Sequence, residues 1–179
     1  HRDIKPENLV FDQNGYLKIT DLGIARVWNP DNSKDTSGTP GYMAPEVMCK
    51  QPHGVAVDYF AMGIMDTNAC LEEDHTQEEI EEKSENTFWP NKYKLKELTP
   101  AGWTVEAADF INRLIQRKPL NRLGLNGPED VKNHPWLREF AWDDLLHQRI
   151  PPPFIPPNAD NFDANYTNGE WKDHNSELI

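Results

Sequence analysis

The stretch HRDIKPENLV, residues 1–10, is the most informative part of this 179-residue chain. It holds a carboxylate at Asp3, a cation at Lys5 and an amide at Asn8, and a second carboxylate follows at Asp21. Fixed charges and dipoles held close together are what a site needs to stabilise charge that develops during a reaction. These residues are therefore the first candidates for a functional site.

Two shorter motifs strengthen this interpretation. The opening stretch fits H-R-D-x-x-x-x-N, while Asp21-Leu22-Gly23 and Ala44-Pro45-Glu46 stand where D-F-G and A-P-E are expected. Because it contains these three motifs, the sequence resembles those of protein kinases. Lys5-Pro6-Glu7 is similar to the serine/threonine-specific form of the loop. Leu22 replaces the usual Phe and keeps an apolar side chain at that position.

The resemblance implies roles for individual residues. Asp3 would orient the substrate hydroxyl and accept its proton, and Lys5 would neutralise charge on the phosphoryl group that leaves ATP. Asn8 and Asp21 would hold Mg²⁺, and Thr39 would bridge Asp3 and Lys5. Without the neighbouring motifs, a turn role for Asp21 and a strand-capping role for Asn8 would be the simpler interpretation.

The substrate-binding side of the sequence is less regular. The resemblance assigns Glu7 and Gly41 to the binding of protein substrates that carry Ser or Thr. Relatives that prefer basic substrates usually bear a glutamate near Asn68, and its absence weakens the expectation of an arginine preference. Residues 71–86 contain eight acidic residues and one lysine. This block is typical of a solvated helix face, with a docking site for a basic peptide as the alternative.

The segment before A-P-E is interpreted as an activation segment. Residues 29–35 are polar and rich in turn formers, which predicts a mobile loop. The following DTSGTPGYMAPE resembles the T-x-x-G-T-P-x-Y-x-A-P-E of cyclic-nucleotide-dependent kinases, with Asp35 replacing the phosphorylated threonine. We expect Asp35 to pair with Arg2 and keep the segment ordered without phosphate. Thr36 or Ser37 as a displaced phosphorylation site is the alternative.

Local patterns predict a hairpin early in the chain. Leu9–Phe11 and Tyr16–Ile19 are short strand-like runs, and Asn14-Gly15 between them is a strong signal for a hairpin turn. Asn8 enters the first strand and Asp21 leaves the second. The hairpin would therefore let both implied metal ligands reach the same cations.

Helical patterns predict the scaffold. Residues 55–65 are apolar on all sides, which is typical of a buried helix. Asp58 in that helix is costly to bury without partners, and the resemblance gives it backbone donors from residues 1–10. Glu46 and Arg122 resemble the two halves of a buried ion pair. Thr104 is predicted to cap the N-terminus of a later helix.

Residues 141–179 resemble the C-terminal tail of AGC-type kinases. The whole tail is predicted to be extended, because the prolines of the run Pro151–Pro156 fix φ and remove backbone donors. The resemblance makes Phe162, within Asn161–Asp163, a nucleotide contact, with a loose anchor on the lobe as an equal alternative. Residues after Tyr166 are polar and are expected to be disordered.

Composition excludes some classes of function. A formal net charge of -12 and a pI of about 4.8 argue against nucleic acids and anionic membrane surfaces, and they suit basic partners. No apolar run approaches the ~20 residues of a membrane span. Cys49 and Cys70 lack metal-ligand spacing, so we expect two reduced thiols and a cytoplasmic location, with a disulfide as the minority alternative.

The expected fold class is mainly α: the large C-terminal lobe of a protein-kinase-like fold over residues 1–140, with a small β-hairpin at the catalytic loop and the small lobe absent. Residues 141–179 are the expected tail. One functional hypothesis is a fragment of an ATP-dependent serine/threonine kinase, inactive by itself, whose partners are substrates, the small lobe of the same gene product and a regulatory subunit. The other is a truncated, non-catalytic, pseudokinase-like interaction module.

Overall fold

The computed structural model describes residues 1–29, 34–72 and 103–157. In chain order the elements are the 3-10 helix Pro6–Asn8, β1 Leu9–Phe11, β2 Leu17–Ile19, α1 Pro45–Met48, α2 Ala56–Glu72, α3 Val105–Leu114, the 3-10 helix Pro119–Asn121, α4 Pro128–Lys132 and α5 Trp142–Leu146. The described residues are mainly helical and contain a two-stranded antiparallel sheet. The prediction of a mainly α chain with a small hairpin is confirmed.

The hairpin forms because its turn satisfies its own backbone groups. Asp12 Oδ1 accepts hydrogen bonds from the amides of Asn14 and Tyr16, both at 2.9 Å. Gly15 has a φ of 88°, a conformation that glycine adopts without steric cost. The local sequence therefore fixes both the position and the length of the turn.

The strand register places the first residue of β1 opposite the last residue of β2. Leu9 lies opposite Ile19 in the antiparallel pair. Beyond that pair the Thr20 amide donates to the Asn8 carbonyl oxygen at 2.9 Å. Asn8 therefore lies beside the residue that precedes Asp21, at the open end of the hairpin.

Two apolar clusters form the core of the described residues. One is built on α3 and α4 from Ala108, Phe110, Ile111, Leu114 and Val131. The other joins α1 to α2 through Ala44, Val47, Val57, Phe60 and Ile64. The buried helix predicted over residues 55–65 is confirmed, except that Val55 lies outside it and is exposed.

Helices α2 and α3 approach closely at Gly63. A Cβ atom there would lie 2.7 Å from Leu114 Cβ and 2.8 Å from Ile115 Cγ2, so a larger residue would force the helices apart. Thr104 Oγ1 accepts a hydrogen bond from the Ala107 amide at 3.1 Å, which confirms the predicted N-cap of α3. Capping and close packing together fix α3 against α2.

The beginning of the tail is not extended as predicted. Residues 142–146 form α5, with Asp143 and Asp144 in its first turn, where carboxylates interact favourably with the helix dipole. Arg149 Nε donates to Asp144 Oδ1 at 2.7 Å, and its amide donates to the Asp144 carbonyl oxygen at 2.8 Å, so Arg149 itself is held against the helix. Residues 151–157 then run without helix or strand, as their prolines predict.

Asp66 on α2 is expected to make stability depend on pH. Burial raises its pKa from 3.8 to about 6. Because the folded-state pKa is the higher one, the ionised carboxylate of Asp66 lowers the free energy of unfolding. This destabilisation is absent well below pH 3.8, where the carboxyl is protonated in both states, and is complete well above pH 6. Asp66→Asn should therefore raise the free energy of unfolding by up to about 3 kcal/mol at pH 7.5 and leave it unchanged at pH 3.5.

Urea denaturation of both proteins at the two pH values measures this. An equal gain at both pH values would show that the desolvated charge is not the cause.

Helices within residues 1–29, 34–72 and 103–157 do not combine the length and the apolar character that crossing a membrane requires.

Candidate active site

Asp3, Lys5 and Thr39 form a closed ring of polar contacts. Lys5 Nζ lies 3.0 Å from Asp3 Oδ2 and donates a hydrogen bond to Thr39 Oγ1 at 2.7 Å. The Thr39 hydroxyl in turn donates to Asp3 Oδ1 at 2.7 Å. A residue of the activation segment therefore connects a carboxylate and a cation of the opening loop.

The Asn8 side chain also contacts Asp3. It is buried, with 6% of its surface exposed, and its Nδ2 donates to the Asp3 carbonyl oxygen at 2.8 Å and to Asp3 Oδ2 at 3.2 Å. The amide nitrogen is thus committed to Asp3. The amide oxygen Oδ1 is the atom of Asn8 that remains suited to a cation.

The surroundings of Asp3 favour its ionised form. Burial raises the pKa of this carboxyl, but the hydrogen bond from Thr39, the hydrogen bond and charge of Lys5 and the hydrogen bond from Asn8 together outweigh it. The pKa of Asp3 is consequently lowered from its usual value of 3.8. This carboxylate is charged at neutral pH and is held in one orientation.

Removal of the Thr39 hydroxyl is expected to raise the pKa of Asp3. Thr39→Ala deletes the leading interaction that opposes burial at that carboxyl. In the unmodified chain, ionised Asp3 stabilises the fold above pH 3.8, and this stabilisation is lost as pH falls through the folded-state pKa. The stabilisation should be smaller in Thr39→Ala.

Titration of the Asp3 side-chain carboxyl by carbon NMR measures the shift, and Thr39→Ser, which keeps the hydroxyl, is the matched control. An unchanged titration in Thr39→Ala would contradict the bridge.

Asp21 lies at the open end of the hairpin but has no direct bond to Asn8. Its backbone adopts a φ of 58°, which is uncommon for a residue with a side chain, and its Oδ1 accepts from the Gly23 amide at 3.2 Å. The residue is exposed. Its carboxylate therefore remains accessible beside the neighbouring strand end.

Asn8 and Asp21 offer oxygen atoms, the ligands that Mg²⁺ prefers. Magnesium typically takes one or two protein carboxylates and completes its shell with phosphate oxygens and water. Within the described part of the chain, no group of three or more His, Cys, Asp or Glu could hold a metal. The two oxygen donors fit a magnesium ion that completes its shell with phosphate and water.

Asp58 anchors the loop that carries Asp3. Its Oδ1 accepts from the Arg2 amide at 2.7 Å, and its Oδ2 accepts from the backbone nitrogen of His1 at 2.8 Å. Arg2 has a φ of 77°, a conformation that costs free energy in a non-glycine residue and needs such support. The partners also account for a carboxylate within the apolar helix α2.

The Arg2 side chain contacts the activation segment. It donates to the Asp35 carbonyl oxygen at 3.2 Å and to the Ser37 hydroxyl, whereas its distance to the Asp35 carboxylate is 3.9 Å. The closer cation is Arg26, at 3.3 Å from Asp35 Oδ2. The sequence does not single out Arg26, and it offers Ser37 only as an alternative phosphorylation site. Thr36 is exposed.

Glu46 and Arg122 form a two-bond ion pair beneath the segment. Arg122 Nη1 lies 2.6 Å from Glu46 Oε1 and Nη2 lies 3.0 Å from Oε2, and both side chains are fully shielded from solvent. Arg122 also donates to the Ala56 and Gln116 carbonyl oxygens and lies over the Phe60 ring. The pair joins α1 to α2 and to the chain that follows α3.

The remaining predicted residues are more peripheral. Glu7 and Gly41 are both exposed, and Glu7 lies two residues beyond Lys5. The predicted contact of Phe162 falls outside the described residues. Cys49 is a free, exposed thiol.

Comparisons with known proteins show the family of the chain. The family model "Protein kinase domain" matches residues 1–137. The chain is 36% identical over 159 residues to cAMP-dependent protein kinase type 3 of Saccharomyces cerevisiae, covering 88% of this chain and 39% of that protein. It is 38% identical over 160 residues to the cAMP-dependent protein kinase catalytic subunit of Dictyostelium discoideum, with coverages of 87% and 24%.

A third relative, protein kinase C of Aspergillus fumigatus, is 30% identical over 177 residues, which cover 93% of this chain and 16% of that protein. The chain spans less than half the length of each of these relatives. The predicted resemblance to AGC-type kinases is confirmed. The chain belongs to the protein kinase family.

Proposed function

We propose that residues 1–140 are the large lobe of a serine/threonine protein kinase, that residues 141–179 are its AGC-type tail, and that the complete protein transfers the γ-phosphoryl group of ATP to Ser or Thr hydroxyls of proteins. The observation that carries this proposal is the ring of Asp3, Lys5 and Thr39 with Asn8 beneath it. Family membership supports the general class of reaction.

In this proposal Asp3 receives the substrate hydroxyl. A carboxylate with a lowered pKa is a weak base, so its main contribution is to orient the hydroxyl, and it takes the proton as the bond to phosphorus forms. Lys5 is held against both Asp3 and Thr39 and places its positive charge beside the transferring group. Both groups act by position and electrostatics.

ATP, as the bound cofactor, supplies the phosphoryl group and a stable leaving group. Asn8 Oδ1 and the Asp21 carboxylate would hold the accompanying Mg²⁺, and Lys5 would face the γ-phosphate. The exposed Glu7 offers a negative charge near the loop and would bind a basic substrate residue, while Gly41 would lie beside the substrate backbone. Phe162 is retained as a proposed nucleotide contact.

The exposed apolar side chains of the hairpin support the proposal of a separate small lobe. Val10, Phe11, Leu17 and Ile19 each expose about half of their surface. Apolar clusters of this kind usually mark a surface that another part of the molecule or a ligand covers. We propose that a small lobe of the same gene product and the adenine of ATP share this role.

The test is a phosphotransfer assay on a protein in which residues 1–179 follow a kinase small lobe. We expect Mg²⁺-dependent transfer of labelled γ-phosphate to a serine-containing basic peptide, and no transfer after chelation of Mg²⁺. A folded protein that binds Mg²⁺ and ATP but transfers nothing would contradict the proposal.

A non-catalytic interaction module is the second candidate, and the acidic composition of residues 71–86 favours it. In that case the 179-residue chain alone would bind a basic peptide with the same affinity whether or not Mg²⁺ and ATP are present. A kinase would instead couple peptide binding to the nucleotide.

We propose that Asp35 replaces a regulatory phosphate, with Arg26 and Arg2 as its cationic partners. Asp35→Ala is expected to make the amides of Ser37 and Gly38 exchange hydrogen about fivefold faster, since a half-exposed ion pair contributes up to about 1 kcal/mol. Lys34→Ala is the matched control because that residue of the same segment is exposed. Exchange that is unchanged in Asp35→Ala would exclude this role.

Thr36 remains the competing proposed regulatory residue. A cytoplasmic location, supported by the two cysteines without metal-ligand spacing, and a regulatory subunit also remain proposals.

A further inference from the structure

Tail residues 150–154 contact the closed end of the hairpin at three separate points. The Tyr16 hydroxyl donates to the Ile150 carbonyl oxygen at 2.7 Å. The Phe11 and Phe154 rings meet edge to face, with their centroids 5.3 Å apart. A Cβ atom at Gly15 would lie 2.1 Å from the Phe154 carbonyl oxygen, so the tail backbone lies directly on the turn.

The hairpin is too small to be rigid without such contacts. Each strand has three residues, and most of their side chains are exposed. An isolated two-stranded hairpin is at best marginally stable in water. The proposed metal ligands nevertheless depend on it, because Asn8 and Asp21 flank the two strands at the opposite, open end.

We infer that the tail is a positioning element for the proposed cation site. Tyr16 and Phe154 fix the turn. The three residue pairs of β1 and β2 extend this order to the open end of the hairpin, where the spacing of Asn8 and Asp21 is thereby maintained. The inference rests on the proposed function of these two residues. Tyr16 and Phe154 touch neither cation nor phosphate in this account, so they act through the hairpin.

The experiment uses the complete 179-residue chain in three variants. Tyr16→Phe removes the hydroxyl alone, and Phe154→Ala removes the ring contact. Ile155→Ala is the matched control, because this neighbouring tail side chain is 63% exposed. The first readout is hydrogen exchange at the Thr20 amide, which donates to the Asn8 carbonyl oxygen. The second is Mn²⁺ affinity in the presence of ATP, measured by electron paramagnetic resonance.

We expect Thr20 to exchange about tenfold faster in Tyr16→Phe and Phe154→Ala, with α3 amides unchanged. Mn²⁺ affinity should fall about tenfold in the same variants, as it does when residues that orient metal ligands are removed. Ile155→Ala should match the unmodified chain. A selective change at Thr20 and in Mn²⁺ affinity, without global destabilisation, is what a positioning role predicts.

Unchanged Thr20 exchange in both variants would overturn the inference, as would faster exchange with unchanged Mn²⁺ affinity. An unmodified chain that binds no Mn²⁺ would contradict the proposed metal ligands themselves. Thr20 exchange would still decide whether the tail orders the hairpin, so the two failures are distinguishable.

Discussion

Asp3→Asn should reduce phosphoryl transfer by about 10²- to 10⁴-fold in a protein that joins residues 1–179 to a small lobe. The substitution keeps the size of the side chain but removes its negative charge, so the substrate hydroxyl loses both its orienting partner and its proton acceptor. Lys5 would also lose its ion-pair partner, and the Thr39 hydroxyl would lose its charged acceptor.

The measurement is kcat and KM for a serine-containing peptide. We expect the loss in kcat, because Asp3 acts on the reacting hydroxyl and not on the remainder of the peptide. Glu129→Gln, a similar change at an exposed residue of α4, is the control. A loss confined to KM would contradict the role of Asp3 in the chemical step.

Arg122→Ala should lower the free energy of unfolding by about 3 to 5 kcal/mol, the usual cost of leaving a buried charge unpaired. The change also leaves the Ala56 and Gln116 carbonyl oxygens without this donor. Arg138→Ala is the control, because that guanidinium lies on the surface and its pair with Glu139 is exposed.

Urea denaturation measures both variants. The double replacement Glu46→Met with Arg122→Met should cost less than Arg122→Ala, because it removes both charges and fills the space with apolar atoms. If Arg122→Ala proved as stable as Arg138→Ala, the ion pair would not contribute to holding α1 against α2.

The parts of the fold that the sequence predicts well have local signals. The hairpin turn is fixed by Asp12 and the adjacent Asn14-Gly15, and the start of α3 is fixed by one hydroxyl at Thr104. The chemistry of these residues acts within four positions of the chain. The local sequence alone is therefore sufficient to predict the turn and the start of α3.

The parts that the sequence did not predict depend on contacts between residues that share no local motif. Arg26 approaches Asp35 from nine positions earlier in the chain, and Tyr16 meets Ile150 across 134 positions. No local pattern specifies these pairs. The helical start of the tail was missed for a different reason: the expectation was based on the prolines that follow Arg149, while the two carboxylates in the first turn of α5 favour a helix there.

In the proposed site, Asn8 and Asp21 hold one cation beside Asp3. Paramagnetic broadening by Mn²⁺, titrated in the presence of ATP into the isotope-labelled chain, reports on this shared cation. We expect the side-chain amide of Asn8 and the backbone amide of Asp21 to lose intensity together, at the same low Mn²⁺ concentration, while amides of α3 stay sharp. Broadening of Asp21 without Asn8, or of the two at different concentrations, would contradict it.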